Sequence, residues 1–494
     1  MARYEIGIIG AGVSGICAAV QLQKKFGDSI SFTIFEKNAD VGGNWLKNVY
    51  PGCACDISSH LYSFSFELNP NWTENYPSQP EILDYLKRVT RKYNVSEHIK
   101  FQHEVKTVRW NDELMKWMLR YVDGSLPNVV SDETRAFDII INGPGGLRVP
   151  LVPSEFDAFT GPKMHTAEWN KEIDLKNKKV AVIGSGASAI QVIPSIVDGV
   201  ETLHCYQRKP PYIFPRPQFT FPNFMKTIFK WFPLVMWLYR CTIFVIQEVI
   251  YSAFKADSFL NTFSRKSTKL YREHELRRRK HLLDDMTPQY NFGCKRVLMS
   301  EQYYNAMARP NVCVHSSHVD KIVERTIYTK DGSKEEVDVL ILATGFQVSN
   351  FFGPLEVIGK GGKNILQSWI DDRPRSYYGV SFSDTPNYFY LFGPNTALGH
   401  SSVVFMLECQ VNFVASAITE MMKRDAQVIS LTKKAEDRFM DKLDHDMKDM
   451  IWGREGCGSF YANTKGDIIV LWPNSSVSYW WQLRNTDWSN FEFI

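Results

Sequence analysis

The residues with the clearest chemistry are the glycines of two short motifs. The first motif is Gly10-Ala11-Gly12-Val13-Ser14-Gly15, and the second is Gly184-Ser185-Gly186-Ala187-Ser188-Ala189. Glycines at this spacing allow a tight turn after a strand, and they let backbone N–H groups at a helix N-terminus approach a pyrophosphate. The sequence therefore predicts two dinucleotide-binding sites in one chain.

A charged residue follows each motif at the end of the next predicted strand, and the two signs are opposite. Glu36 follows the first motif, whereas Arg208 and Lys209 follow the second. An acid in this position hydrogen-bonds a ribose 2′-OH, and cations there neutralise a 2′-phosphate. The first site is therefore predicted to bind FAD or NAD, and the second NADPH. Glycines that serve only helix-to-strand packing are the alternative, but the strand, helix and charged residue around each motif argue against it.

The two motifs require a strand before them and a helix after them. Apolar segments at 4–9 and 179–183 fit those strands. We therefore predict an α/β fold with two Rossmann-like dinucleotide-binding domains, one for FAD and one for NADP, and a helical insertion. The predicted units are the first part of the FAD-binding domain at 1–150, the NADP-binding domain at 151–335 with the insertion at about 216–290, and the second part of the FAD-binding domain with a C-terminal loop at 336–494. A strand at 337–342 is expected to begin the return to the FAD-binding domain.

The composition excludes several classes of function. A net charge of +3 over 494 residues is too small for a nucleic-acid-binding protein, and no basic stripe is interleaved with aromatic residues. The nine cysteines lack zinc-site spacing, so no metal is expected and the thiols are expected to be reduced. The first predicted strand begins at Tyr4, which leaves no room for a signal peptide. A cytoplasmic location is therefore expected.

The segment 219–254 is the part of the sequence most similar to a membrane helix. It is mostly aromatic and aliphatic, but Lys226, Lys230, Arg240 and Glu248 interrupt it. No uninterrupted apolar run reaches the about 20 residues that span a bilayer, so the chain is not expected to cross a membrane. A buried or amphipathic helical insertion is the preferred interpretation, and peripheral contact with a membrane is the alternative.

Two nucleotide sites in one chain indicate electron transfer from a pyridine nucleotide to a flavin, because hydride moves when the two rings meet. A disulfide reductase would need a redox-active cysteine pair near the first helix. The sequence offers only Cys53 and Cys55 there, which are too close together for the usual arrangement. Oxygen is therefore the expected electron acceptor.

Two longer motifs surround these sites. The segment between the two glycine motifs contains Phe159, Gly161, His165 and Trp169 in the pattern F-x-G-x-x-x-H-x-x-x-W. The other motif reads Gly43-Asn44-Trp45, then Tyr50-Pro51-Gly52, then Asp56. In both motifs the sequence resembles the class B flavoprotein monooxygenases and, within them, the Baeyer–Villiger monooxygenases. The resemblance extends over nearly the whole chain.

The resemblance implies a set of cofactor contacts. The implied FAD contacts are Gly10, Gly12, Ser14, Gly15, Glu36, Asn44, Trp45, Asp56 and Tyr62, with a backbone contact near Val105. The implied NADP contacts are Gly184, Ser185, Gly186, Ala187, Ser188, Ala189, Ile190, Arg208, Lys209 and Lys295. Arg296 is similar to the family arginine that lies beside the flavin ring, with Asp56 next to it.

The chemistry that the resemblance implies is the conversion of a lipophilic ketone to an ester or lactone by NADPH and O₂ through a flavin C4a-peroxide. The terminal oxygen of this peroxide must stay anionic to attack the carbonyl carbon of the ketone. Arg296 is expected to stabilise it, because a guanidinium keeps its proton near neutral pH. Asp56 would hold and orient Arg296. His165 and Trp169 are expected to anchor an interdomain hinge rather than to act in catalysis, and Cys294 is expected to pack rather than react.

Two alternatives use the same cofactor sites. One is a flavin monooxygenase that oxygenates nitrogen or sulfur, and the other is a non-catalytic, redox-sensing flavoprotein. Three positions depart from the family pattern: Asn44, Asn170, and the segment Ser459-Phe460-Tyr461, where relatives often have Ser-Trp-Tyr. An indole contact to NADP from this C-terminal loop is therefore not expected.

Overall fold

Two parallel five-stranded sheets form the centre of the structure. The computed structural model describes residues 3–125, 131–454, 457 and 460–494. The first ten strands are β1 Tyr4–Ile9, β2 Ile30–Glu36, β3 Ile99–Phe101, β4 His103–Asn111, β5 Lys116–Asp123, β6 Ser131–Phe137, β7 Ile139–Asn142, β8 Lys163–His165, β9 Lys179–Ile183 and β10 Thr202–Tyr206. The others are β11 Ile213–Phe214, β12 Leu298–Met299, β13 Val312–His315, β14 Val319–Val323, β15 Thr326–Thr329, β16 Lys334–Glu336, β17 Val339–Leu342, β18 Glu356–Ile358, β19 Tyr388–Tyr390, β20 Ile429–Leu431 and β21 Phe491–Phe493.

Twelve α-helices cover these sheets and form the insertion in the part of the chain that the structure describes. They are α1 Val13–Phe26, α2 Asn44–Lys47, α3 Gln79–Lys92, α4 Ala187–Ile196, α5 Asn223–Trp231, α6 Pro233–Ile250, α7 Phe259–Glu275, α8 Tyr303–Met307, α9 Ile365–Asp371, α10 Val403–Arg424, α11 Lys433–Met447 and α12 Ser476–Arg484.

The first sheet has the strand order β19-β7-β1-β2-β3, and every pair in it is parallel. Its strands are apolar and buried on both faces, as in β7, where all four residues are buried. Helix α1 runs from the carboxyl end of β1 and packs against α10, whose residues are largely buried. This sheet places the first glycine motif between β1 and α1. The predicted α/β fold is confirmed.

The second sheet has the strand order β13-β10-β9-β17-β8 and is also parallel. The second glycine motif lies between β9 and α4. Strand β17 pairs with β9, for example Val339 with Val180, so the expectation that this segment begins the return to the first unit was wrong. A short, fully buried apolar strand looks the same in either sheet, and only its pairing reveals where it belongs. The second sheet therefore extends past the expected boundary at 335.

Two chain segments connect the units, and they are hydrogen-bonded to each other. Leu151 N–H donates to Gly345 O, and Gln347 N–H donates to Val149 O, both at 2.9 Å. Pro150 and Phe346 form an antiparallel bridge between these contacts. The segment that leaves the first unit and the segment that returns to it thus form one short antiparallel ladder next to the second sheet.

The insertion was expected to be buried or amphipathic, and the structure shows it largely exposed. Helix α6 lies against the first unit through Met236 and Arg240, while much of its remaining surface faces outward. Two helical segments, Pro233–Phe254 and Val403–Arg424, are long and apolar enough to cross a bilayer by length and composition, with 11% and 67% of their residues buried. Arg240 and Glu248 lie inside the first of these segments, which therefore contains no uninterrupted apolar run of about 20 residues, as expected from the sequence.

The cysteines differ from the expectation in one pair. Cys294 and Cys457 form a disulfide with their Cα atoms 5.2 Å apart, although 163 residues separate them in sequence. The expectation that all nine thiols are free was wrong, because contacts between such distant segments leave no local spacing pattern. The other seven cysteines are free, including Cys53 and Cys55.

Candidate cofactor and active site

The first glycine motif forms a turn that only glycine can occupy. Gly10 has a φ of +93°, and a Cβ built there would lie 2.7 Å from the oxygen of Gly143. A Cβ on Gly15 would lie 1.9 Å from the oxygen of Gly10, so α1 packs directly onto the turn. Helix α1 begins after Gly12, and no described side chain caps it. Its first N–H groups are therefore available to an anion, as a pyrophosphate site requires.

Glu36 ends β2 and reaches back to this turn. Its Oε2 accepts a hydrogen bond from Ala11 N–H at 2.8 Å, and its Oε1 accepts one from Asn38 N–H at 2.8 Å. The side chain is buried, with 4% of the residue exposed. A buried carboxylate fixed at the glycine turn is suitably placed to accept a hydrogen bond from a ribose hydroxyl.

The second glycine motif has the same construction. Gly184 has a φ of +119°, and a Cβ there would lie 2.4 Å from the oxygen of Ala343. Helix α4 begins after Gly186, again with no described side-chain cap. Its first residues are Ala187, Ser188, Ala189 and Ile190. The Ser185 hydroxyl donates to the oxygen of Lys209 at 3.2 Å, which ties the turn to the segment after β10.

Three cations converge near this turn. Lys295 lies close enough to Lys209 and Arg208 for their charges to lower its pKa, although burial is the larger cause. The Lys295 Nζ also lies 5.0 Å from the ring centroid of Tyr290. Clustered cations repel one another, and an anion of high charge relieves that repulsion. This cluster fits a 2′-phosphate beside the second nucleotide turn.

Asp56 and Arg296 form an ion pair, as the resemblance implied. Arg296 Nε and Nη2 each lie 2.7 Å from Asp56 Oδ2, across 240 residues of sequence. Both side chains are half-buried. The neighbouring carboxylate is the largest cause of a raised pKa for Arg296, so its guanidinium keeps a full positive charge. Asp56 also limits the orientations that the planar guanidinium can take.

Tyr461 belongs to the surroundings of this pair. It is buried, and burial is the main cause that raises its pKa to about 12, with opposing effects from Arg296 and Asp56. The phenol therefore keeps its proton at neutral pH. Its neighbour Phe460 is 49% exposed, and Ser459 lies outside the described residues. The sequence shows that this segment lacks the indole of its relatives, but it does not indicate that Tyr461 lies near the ion pair.

The remaining residues of the implied FAD site lie on separate elements. Trp45 Nε1 donates to the Tyr62 hydroxyl at 3.0 Å, and the two rings meet edge to face. Asn44 is the first residue of α2, and Ser14 is buried in α1. Val105 is buried on β4, at an irregularity in its pairing with β5. The structure thus joins Trp45 to Tyr62 and places Val105 in the separate four-stranded sheet β18-β4-β5-β6.

The segment that leads to Asp56 packs against the helix of the second motif. A Cβ on Gly52 would lie 2.5 Å from the oxygen of Gln191, so only glycine allows this close approach. The Tyr50 hydroxyl donates to Gln191 Oε1 at 2.8 Å, and Gln191 Nε2 donates to Ala54 O at 3.0 Å. Gln191 lies in the helix of the second motif, but nothing in the sequence indicates that its side chain bridges the two units.

The linker signature lies beside the two crossings. His165 ends β8, and its Nδ1 accepts a hydrogen bond from Ala167 N–H at 3.1 Å. Its ring lies 5.9 Å from that of Phe346 in the return crossing. Phe159 is buried against Gly161, and Trp169 packs against the core of the second unit. These contacts place the signature at the junction of the units, and they support a hinge role for His165 and Trp169.

Comparison with known sequences identifies relatives that extend over the whole chain. Residues 3–360 match the model of the flavin-binding monooxygenase-like family. A protein of Pseudomonas aeruginosa named Baeyer-Villiger monooxygenase is 36% identical, with 97% of this chain and 89% of that protein aligned. A protein of Streptomyces coelicolor with the same name is 31% identical, with 100% and 93% aligned. The FAD-binding monooxygenase ktnD of Aspergillus niger is 32% identical, with 99% and 81% aligned.

Comparison with solved structures shows the same fold. A closed crystal structure of cyclohexanone monooxygenase superposes with a TM-score of 0.87 at 24% identity, and the match covers 99% of each chain. An oxidized steroid monooxygenase bound to NADP superposes with a TM-score of 0.85 at 24% identity, and the match covers all of both chains.

Proposed function

The chain belongs to the flavin-binding monooxygenase-like family, and we propose that it is a Baeyer–Villiger monooxygenase that uses FAD, NADPH and O₂ to convert a lipophilic ketone to an ester or lactone. The observation that carries this proposal is the Asp56–Arg296 ion pair in a chain that also has two nucleotide turns. The 36% identity with a named Baeyer-Villiger monooxygenase supports the same reaction.

The residues present fit both cofactors. FAD would be held by the turn at Gly10–Gly15 and by Glu36. A Cβ at Gly10 or Gly15 would clash with backbone oxygens, so the turn requires glycine, and the Glu36 carboxylate lies at the end of the next strand. NADPH would be held by the turn at Gly184–Ala189 and by the cations Arg208, Lys209 and Lys295. No acid follows β10 where a ribose diol would be bound, so NADPH is expected in preference to NADH.

With FAD and NADPH bound, the site would have the reducing power to convert O₂ to the oxygen nucleophile that is inserted beside the ketone carbonyl. Arg296 holds a fixed positive charge toward the oxygen on which negative charge develops, and it cannot neutralise that charge by losing its own proton. Asp56 keeps the guanidinium plane oriented. The hydrogen-bonded crossings near Pro150 and Phe346 connect the two units, and we expect His165 to anchor that junction during the reaction cycle.

The substrate class is inferred from the insertion. Its aromatic residues pack next to the segment that contains Tyr62, since the rings of Phe221, Phe229 and Tyr239 all contact His60. This apolar environment favours a lipophilic ketone. NADPH is supplied inside cells, which agrees with the cytoplasmic location expected from the sequence.

Product analysis tests the proposed reaction. The holoenzyme is given NADPH, O₂ and a panel of ketones, amines and sulfides, and the products are identified by mass spectrometry. The proposal predicts ketone products that have gained one oxygen atom and behave as esters or lactones. Oxygenation of amines or sulfides without any ketone product would instead indicate a heteroatom oxygenase, and NADPH consumption with no organic product would contradict both reactions.

The purified protein is expected to be yellow and to contain one FAD without a covalent bond. The first turn and Glu36 provide a nucleotide site, and no attachment residue for flavin is evident. The chromophore is released by denaturation and identified by chromatography. Recovery of FMN, or of flavin that stays with the denatured chain, would contradict this prediction.

A further inference from the structure

The insertion presents an exposed apolar surface that the monooxygenase reaction does not use. Among the described residues, 26 large hydrophobic side chains are exposed, and twelve of them lie between Phe224 and Ile250. Trp231 is 72% exposed, Leu234 67% and Leu238 51%. We call this surface the α5–α6 face. Scattered exposed apolar residues are ordinary, but a contiguous group of this size marks an interaction surface.

Helix α6 lies flat on the protein with one side inward. Its inward residues are Met236, Arg240, Ile243, Phe244 and Glu248, which recur at helical spacing. The opposite stripe, which includes Leu234, Leu238, Val245 and Val249, faces outward. A helix that lies along the protein with an apolar outer stripe has the orientation of an interfacial helix rather than a spanning one.

Both charged residues of α6 contact protein rather than solvent. Arg240 Nη1 donates to His60 O at 2.7 Å and to Ser63 O at 2.8 Å. Glu248 Oε1 lies 3.3 Å from His400 Nε2, and its Oε1 and Oε2 accept hydrogen bonds from the N–H groups of Ser476 and Val477. The two charges that interrupt the apolar sequence therefore anchor the helix to the protein. The outer stripe of α6 carries no charge among the described residues.

The charges at the edge of this surface are positive. Residues 202–247 contain no Asp or Glu. Lys226 and Lys230 lie on α5 among Phe224, Ile228 and Trp231, and neither makes an ion pair with a described residue. A second copy placed on the same face by twofold symmetry would bring these lysines against residues 202–247, which contain no acid to pair with them. Anionic lipid headgroups would pair with these lysines, while the tryptophans suit the boundary between headgroups and acyl chains.

We propose that the α5–α6 face docks the protein on an anionic lipid bilayer, with α6 lying in the plane of the membrane surface. The apolar stripe enters the boundary of the acyl chains, and Lys226 and Lys230 contact the headgroups. The chain is a peripheral membrane protein in this arrangement, since Arg240 and Glu248 keep α6 attached to the first unit.

Vesicle co-sedimentation tests the proposal. The full-length holoenzyme is spun with vesicles of phosphatidylcholine and phosphatidylserine at 7:3, with vesicles of phosphatidylcholine alone, and without lipid. The triple variant Trp231→Gln, Leu234→Gln and Leu238→Gln is expected to weaken binding to the anionic vesicles by at least about a hundredfold, because three exposed apolar side chains are lost. The pair Lys226→Gln and Lys230→Gln is expected to cost about fivefold for each lysine on anionic vesicles only.

A matched control variant distinguishes an effect of the α5–α6 face from a general effect of removing exposed apolar side chains. Leu114, Val323 and Ile370 are 57%, 49% and 63% exposed on other elements, and their replacement by Gln should leave vesicle binding unchanged. Flavin content and melting temperature are measured for every variant, since all three positions of the test variant point outward. Glutamine keeps the helix propensity of α6 close to that of leucine.

Three results would overturn the proposal. The first is a wild-type holoenzyme that stays in the supernatant with both kinds of vesicle. The second is equal loss of binding in the test and control variants. The third is a dimer in light scattering that the test variant converts to a monomer, because a second copy would then cover the face.

Discussion

Replacing Arg296 by alanine is expected to lower ketone oxygenation by at least about a hundredfold, which is the usual cost of removing one electrostatic stabiliser at a developing oxyanion. Arg296 is the cation paired with Asp56 at 2.7 Å, and its raised pKa keeps it charged throughout the neutral range. The measurement is the yield of ester or lactone per NADPH consumed.

Flavin occupancy should survive this change, since the turn at Gly10–Gly15 and Glu36 lie on other elements than Arg296. Arg296→Lys keeps a charge but loses the planar fork that contacts Asp56 through two nitrogens, and it should recover only part of the activity. A variant that merely damaged the fold would lose flavin as well, so the ratio of activity to bound flavin separates the two causes.

A matched control is available in a second ion pair. Arg373 Nη1 and Nη2 donate hydrogen bonds to the two carboxylate oxygens of Asp444 at 2.9 and 2.6 Å. Arg373→Ala therefore removes a comparable ion pair outside the proposed site. Its ketone oxygenation should remain near the wild-type rate. If Arg296→Ala also forms ester from a good ketone at that rate, the assigned role of Arg296 is wrong and heteroatom oxygenation becomes the better interpretation.

Local sequence patterns were sufficient to predict a site when all of its residues lie within one strand–turn–helix unit. The turn at Gly10–Gly15, its strand and Glu36 all lie within residues 4–36, and each has a residue type that the geometry requires. The same is true of Gly184 and Arg208. Sequence periodicity therefore predicted the α/β fold and the positions of both nucleotide turns.

Contacts between distant segments could not be derived in this way. Asp56 and Arg296 are 240 residues apart, and only the resemblance to a family suggested that they meet. Gln191 lies in the helix of the second motif, yet its contact with the first unit has no sequence signal, and Cys294 reaches Cys457 across 163 residues. Each of these contacts depends on how separate units pack together, which leaves no trace in local spacing.

Two features of the fold could not be derived from the sequence, and they have a common physical cause. The apolar residues of β17 fit either parallel sheet, and the charges at Arg240 and Glu248 interrupt an apolar sequence whether they face solvent or protein. In both cases the sequence indicates that a residue is apolar or charged, but it does not indicate which residues that residue contacts. The pairing of Val339 with Val180 and the contacts of Arg240 with His60 provide the missing information.

Replacing Arg208 by alanine is expected to weaken the use of NADPH by about ten- to a hundredfold and to leave the use of NADH little changed. Arg208 lies after β10, where its charge and that of Lys209 already lower the pKa of Lys295, so the cluster is suited to a doubly charged phosphate. NADH lacks that phosphate and gains nothing from Arg208. The measurement is kcat/KM of flavin-dependent oxidation with each coenzyme.

The decisive quantity is the ratio of kcat/KM with NADPH to kcat/KM with NADH, because a general disturbance of the second unit would lower both values. Lys171→Ala removes an exposed cation from the same unit and should leave the ratio unchanged. Raising the salt concentration should reduce the preference for NADPH in the wild type, since the contact is between exposed charges. Equal losses with NADPH and NADH in Arg208→Ala would show that this arginine does not recognise the phosphate, and the preference would then have to come from Lys209 and Lys295.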